Sequence, residues 1–135
     1  MDFKDRQSIY WQIAERICED ILQGKWNEGE RIPSVRDLAI SLQVNPHTIL
    51  RSYEYLQNKH IIINKRGLGY SVAPLGKEQI MANRKDRFIE SDLPSFFFTL
   101  DLLNMSIEEV LIHYEVHRRK TSTIETNFHP NENKQ

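Results

Sequence analysis

One cysteine, Cys18, in 135 residues leaves nothing to pair it with inside the chain. That excludes an intramolecular disulfide and any zinc cluster built on several thiolates. No apolar run approaches the ~18–20 residues a spanning helix needs, so no membrane association is expected. The opening MDFKDRQSIY carries charges where a secretory signal needs an apolar core, which makes a reducing cytoplasm the expected compartment. There are no internal repeats. No P-loop, HExxH, Ser-His-Asp order or cysteine pair occurs, so neither an enzyme nor a cofactor is expected. A global basic excess is missing too: 18 Lys and Arg stand against 19 Asp and Glu, a net charge of −1. What is present, 39% hydrophobic and 27% charged residues, is ordinary for a globular chain. The length allows one domain, or a small domain with an appendage.

The charge is unevenly placed. Residues 31–66 hold Arg31, Arg36, Arg51, Lys59, Lys65 and Arg66 against Asp37 and Glu54, a local net charge of +4. The segments on either side are acidic. A positive patch inside a nearly neutral chain is the footprint that phosphates feel.

Apolar periodicity supplies the elements. Ile9, Ile13, Ala14, Ile17, Cys18, Ile21 and Leu22 line one face of a first helix, with Ser8 at its N-cap and Gly24 just past its end. Residues 25–33 read as a connection turning at Gly29. Ser34 with Asp37 then forms a capping-box-like start to a second helix of about two turns, with Val35, Leu38, Ala39 and Leu42 inward. Asn45-Pro46 opens a third, Asn as cap and Pro at the first helical position, with Ile49, Tyr53 and Leu56 inward. Two short helices joined by a tight turn have the outline of a helix-turn-helix.

The period changes after His60. Ile61–Ile63 and Tyr70–Val72 read as strands around a basic, glycine-containing tip, Lys65-Arg66-Gly67-Leu68-Gly69. A helix-turn-helix followed by such a hairpin is a winged helix. Beyond it, residues 77–89 read as a sparsely apolar helix and 93–103 as a denser one restarted at Pro94. Ser106 with Glu109 caps a last helix ending near Arg119. The fold class expected is therefore mainly α with a small β-hairpin: a winged helix-turn-helix over residues 7–75, a helical dimerisation segment over 76–120, and a polar, disordered tail over 121–135.

Ile9-Tyr10-x-Gln12-Ile13, Gly29-x-x-Ile32-Pro33-Ser34-x-Arg36-x-Leu38-Ala39, Val44-Asn45-Pro46-x-Thr48, Arg51-x-Tyr53-x-x-Leu56 and Gly67-x-Gly69-Tyr70-x-Val72 resemble the GntR family of bacterial transcription regulators. The Val-Asn-Pro-x-Thr run and the short helical remainder resemble its YtrA subfamily. Two positions depart from the pattern. His60 stands where glycine is usual, and Leu50 where relatives place a polar or basic residue. The resemblance implies a DNA-binding regulator, a repressor on an operator, with a nearby transporter operon as target. It carries Arg36, the Asn45–Thr48 stretch, Arg51 and Gly67 over as DNA contacts.

Physical chemistry supports those positions. Arg36 has a fork that fits a phosphate or a guanine edge, and Asn45, His47, Thr48 and Arg51 sit where a recognition helix enters the major groove. Lys65 and Arg66 can reach the backbone or minor groove, with Gly67 allowing close approach. Asn45 is first of all a cap. Around Phe96, Phe97, Leu100 and Leu103 an apolar stretch exceeds what a short appendage can cover alone. Packing against a second copy would make a two-fold homodimer and predicts a palindromic double-stranded DNA operator, its half-sites roughly 34 Å apart. Glu109, His113 and His117, on one helix face, are a lesser metal candidate, with solvated histidines as the plainer reading. A winged helix that meets protein instead of DNA, and a metal- or ligand-responsive regulator, are the alternatives; the sequence names no small-molecule effector.

Overall fold

The computed structural model describes residues 8–128. The chain divides into two compact units, one ending at Ile89 and one beginning at Glu90.

In the first unit, α1 spans Ile9–Leu22, α2 Val35–Leu42 and α3 Pro46–Asn58. Ser34 Oγ accepts from the Asp37 N–H at 3.1 Å and Asn45 Oδ1 from the His47 N–H at 2.9 Å, as their cap positions predict, whereas Ser8 stands at the N-cap of α1 without a side-chain cap bond. Between α2 and α3 the chain reverses through Gln43 in the left-handed region, where the Val44 N–H returns to Ala39 O at 3.0 Å. Ala14, Ile17, Cys18 and Ile21 of α1 meet Ala39 of α2 and Ile49, Tyr53 and Leu56 of α3 in one core. Each large side chain so buried contributes roughly 1.5–3 kcal/mol. Two residues expected inward are not. Ile9, at the first position of α1, and Leu42, at the last position of α2, are both exposed: each stands at a helix end, where the side chain escapes the face that the rest of the helix buries.

Strands β1 (Ile62–Lys65) and β2 (Gly69–Val72) pair antiparallel, Ile62 opposite Val72 and Lys65 opposite Gly69. Ile62 and Val72 point into the core. The stretch read as a plain connection supplies a further edge to this hairpin. Val72 N–H donates to Glu30 O at 3.0 Å, Gly29 and Ile32 N–H donate to Val72 O and Tyr70 O at 2.9 and 3.0 Å, and Arg31 bridges Ser71. His60, at the turn into β1, adopts φ +61°, the left-handed conformation that a glycine would take without strain.

Helix α4 (Gly76–Arg87) belongs to this unit, so the division falls at Ile89 rather than at residue 75. The reason is local. Ile80 is buried in the core, and a Cβ on Gly76 would stand 2.9 Å from Ile61 O and from Val72 Cγ1. Arg84 Nη2 also reaches Glu19 Oε1 at 2.7 Å and Glu15 Oε2 at 3.4 Å, and Arg87 Nη1 reaches Glu15 Oε1 at 3.3 Å. A π-helical turn, Phe88–Asp92, follows where the sequence suggested only a restart.

The second unit holds α5 (Leu93–Leu102) and α6 (Ile107–Phe128). Asn104 in the left-handed region and the Met105 N–H to Leu100 O bond of 2.9 Å close α5; Ser106 Oγ accepts from the Glu109 N–H at 3.2 Å and opens α6. Helix α6 runs past Arg119 into the stretch expected to be a disordered tail. The Thr121 and Thr123 hydroxyls donate back to His117 O and Arg119 O, each at 2.9 Å, so polar side chains are satisfied within the helix. The remainder of that tail, 129–135, lies outside the described residues.

Cys18 is buried in the core, and desolvation, aided by the nearby Glu15 charge, pushes its thiol up from 9.0 to about 12. A raised native pKa means that the unfolded chain loses the proton first. The stability this contributes is complete below pH ~9 and is lost as pH rises toward 12. Iodoacetamide at pH 8 is expected to leave Cys18 unmodified in the native protein and to alkylate it in urea, read by intact mass. Rapid native alkylation would contradict its burial.

Candidate nucleic-acid interface

The exposed end of the helix-turn-helix follows from its caps. Asn45 ends its own side-chain reach in the cap, so its oxygen is spent on the His47 N–H and its role is to start α3. Pro46 contributes no N–H, and the Thr48 and Ile49 N–H groups turn back to Asn45 O at 2.9 and 3.4 Å, so what this end offers a phosphate is the partial positive charge of the helix rather than free donors. His47, Leu50 and Arg51 are exposed along this end of α3, while Thr48 is half-buried. Ser52, one residue past Arg51, is buried, its Oγ donating to Tyr10 O at 2.7 Å with Thr48 O at 3.0 Å. This pins α3 to the start of α1 and turns residues 47, 50 and 51 outward.

Arg36 sits in the first turn of α2, exposed. On the hairpin, Lys65 ends β1, and Arg66 and Gly67 form the exposed tip, Gly67 with φ +80°. Among the described residues none of Arg36, Arg51, Lys65 or Arg66 is in an ion pair, in contrast to the paired Arg84 and Arg87. Cations left without carboxylate partners are available to phosphates.

The structure adds two neighbours that the sequence did not single out. Arg51 stacks on Tyr10, its guanidinium carbon 4.1 Å from the ring centroid. Arg31, on the edge beside β2, lays its guanidinium across Gly69, where an added Cβ would meet Nε and Nη2 at 3.3 Å. Lys65 faces that same glycine in the ladder. Arg31 was visible only as one charge in a basic stretch, because so short an edge, Gly29–Ile32, has no periodicity to read.

The metal candidate does not assemble. Glu109, His113 and His117 climb one face of α6 over about 12 Å at 1.5 Å per residue, and among the described residues no group of three or more His, Cys, Asp or Glu could hold an ion. Among the dimer candidates, Phe96, Phe97 and Leu103 are exposed but Leu100 is buried at 6%. Leu100 therefore packs within its own chain rather than facing outward. Helix α6 also exposes large apolar residues: Ile107, Leu111, Ile112 and Val116.

Gly69 has φ +78°. Gly69→Ala is expected to lower unfolding free energy by about 1–2 kcal/mol, because a Cβ in the left-handed region is strained. Urea denaturation checks this, and an unchanged midpoint would refute it.

Residues 9–72 match the bacterial regulatory proteins of the gntR family. The chain is 33% identical over 109 residues to the uncharacterized HTH-type transcriptional regulator YhcF of Bacillus subtilis, covering 81% of this chain and 88% of that one. It is 31% identical over 84 residues to the HTH-type transcriptional repressor YtrA of the same organism, covering 62% and 65%. Among solved structures, a chain described as a GntR-family transcriptional regulator from Bacteroides thetaiotaomicron superposes with TM-score 0.73 at 46% identity, covering 84% of this chain and 99% of that one. A GntR-family regulator from Listeria monocytogenes gives TM-score 0.61 at 28% identity over 85% and 97%. No described helix is long and apolar enough to cross a membrane. The chain belongs to the GntR family of bacterial transcription regulators: it is a DNA-binding winged helix-turn-helix protein and not an enzyme.

Proposed function

We propose that this regulator is a cytoplasmic repressor that works as a homodimer, occupying a palindromic operator and blocking transcription from it. A neighbouring transporter operon is the target that the family resemblance implies. The observation that carries the reading is the exposed first turn of α3, flanked by Arg36, Arg51, Lys65 and Arg66 with no carboxylate partner among the described residues. In this reading His47, Thr48 and Arg51 meet base edges in the major groove, Arg36 a phosphate or guanine, and the hairpin tip at Lys65, Arg66 and Gly67 the backbone or minor groove. Asn45 acts through the cap. Repression is supported by the similarity to YtrA, a transcriptional repressor.

Dimerisation rests on the second unit. Phe97 is 44% exposed, Phe98 65% and Leu103 67%, and Leu111 and Ile112 of α6 are exposed as well. Surfaces of this kind on a soluble chain mark an interface. A second copy presents the same patch, and two-fold symmetry then matches the symmetry of a palindromic site.

Fluorescence anisotropy with the duplex upstream of its own gene and a scrambled duplex, across a salt series, tests the DNA reading. Tighter binding to the first is expected, with log K falling by about 0.9 per phosphate contact for each unit of log salt. Arg36→Ala and Arg51→Ala are each expected to weaken specific binding by about 1–3 kcal/mol with an unchanged circular dichroism spectrum. Equal, weak binding to both duplexes would favour a partner protein or a required effector. Phe97→Asp is expected to convert the dimer to monomers or aggregates in sedimentation. A clean dimer from that variant would remove Phe97 from the interface.

A further inference from the structure

Arg51 reaches its exposed position in company. Its guanidinium lies 4.1 Å from the ring centroid of Tyr10. Tyr10, in the first turn of α1, is itself held by α3 in two other ways. Its carbonyl accepts from Ser52 Oγ at 2.7 Å, and its ring meets the edge of the Tyr55 ring at 6.5 Å and 66°. Ser52, next to Arg51, therefore fixes the Tyr10 backbone, and Tyr55, one turn farther along the same helix, packs against its ring. A guanidinium on an aromatic face uses its π surface and leaves its in-plane N–H donors pointing outward. An exposed arginine without such a support samples many rotamers, and losing them on binding weakens affinity.

We propose that Tyr10 is a positioning residue for DNA recognition: it holds the Arg51 guanidinium stacked, with its donor edge presented to paired acceptors on the duplex. The proposal rests on the reading above that Arg51 contacts DNA. The acceptors are those shared by a guanine edge and a phosphate. A base contact makes the loss specific to the upstream duplex, whereas a phosphate contact makes it equal on both duplexes and lowers the salt slope by about 1. Either result fits a positioned donor edge.

The test is a double-mutant cycle on the full chain, read by anisotropy with the upstream and scrambled duplexes. Tyr10→Phe keeps the ring and is expected to bind as the unaltered protein does. Tyr10→Leu is expected to bind about 2–5-fold more weakly, the range of an exposed cation–π contact. In an Arg51→Ala background, Tyr10→Leu is expected to change nothing further. An equal loss with and without Arg51 would mean that Tyr10 serves the fold alone and would overturn the proposal. Unaltered binding by Tyr10→Leu would overturn it as well. Full binding by Arg51→Ala would remove the contact itself, and the proposal with it. Should Tyr10→Leu not fold, Arg51→Lys asks the same question from α3. It keeps the charge without the planar fork, and is expected to bind as weakly as Arg51→Ala. Full binding by Arg51→Lys would overturn the proposal.

Discussion

The side chain of Tyr53 is buried among α1, α2 and α3, and its hydroxyl donates to Pro33 O at 2.6 Å. Its ring meets Tyr70 of β2 edge to face, the centroids 4.8 Å apart. One residue of the recognition helix thus ties itself to the chain entering α2 and to the wing. Those are the places that carry Arg36 and, through β2, the hairpin tip. Burial raises the phenol above its ordinary range, so the hydroxyl remains a donor throughout the accessible pH range. A buried hydrogen bond contributes only about 1 kcal/mol net, but the Pro33 carbonyl would cost more if stranded. The placement of α2, α3 and the hairpin relative to one another depends on this contact.

The same helix shows how local and distant constraints share the task. Its inner residues Ile49, Tyr53 and Leu56 anchor it to the core, and Ser52 fixes its rotation through the Tyr10 carbonyl. What remains outward is settled by subtraction. Glu15 and Glu19 of α1 take Arg84 and Arg87 of α4, so those two arginines are neutralised, while Arg36, Arg51, Lys65 and Arg66 are in no ion pair among the described residues. Sign segregation of this kind produces a positive face without any excess of positive charge.

Much of this was legible in the sequence where the determining interaction is short in range. Ser34 and Asn45 announce helix starts because a side chain bonds an N–H two or three residues away. Ile49, Tyr53 and Leu56 announce a buried face by spacing alone. Ile9 and Leu42 misled because periodicity assigns a face without knowing where the neighbouring element stops. The boundary at Ile89 was hidden because α4 is held by Ile80, by the tight contact at Gly76 and by ion pairs to α1, none of which leaves an apolar stripe. Leu100 was indistinguishable from its exposed neighbours in a run apolar on every side. The Tyr10–Arg51 stack joins residues on separate helices, beyond any local pattern.

The extra edge that Gly29–Ile32 adds to the hairpin has a kinetic side. An isolated two-stranded ribbon is marginal in water and would fray between encounters with DNA. Here β2 is bonded on both margins, to β1 and to the backbone at Gly29, Glu30 and Ile32, so its amides have partners in the free protein. On the proposed reading, the wing would therefore meet the duplex already folded. On that reading, association would be governed by diffusion and orientation rather than by a folding step of the wing at the surface.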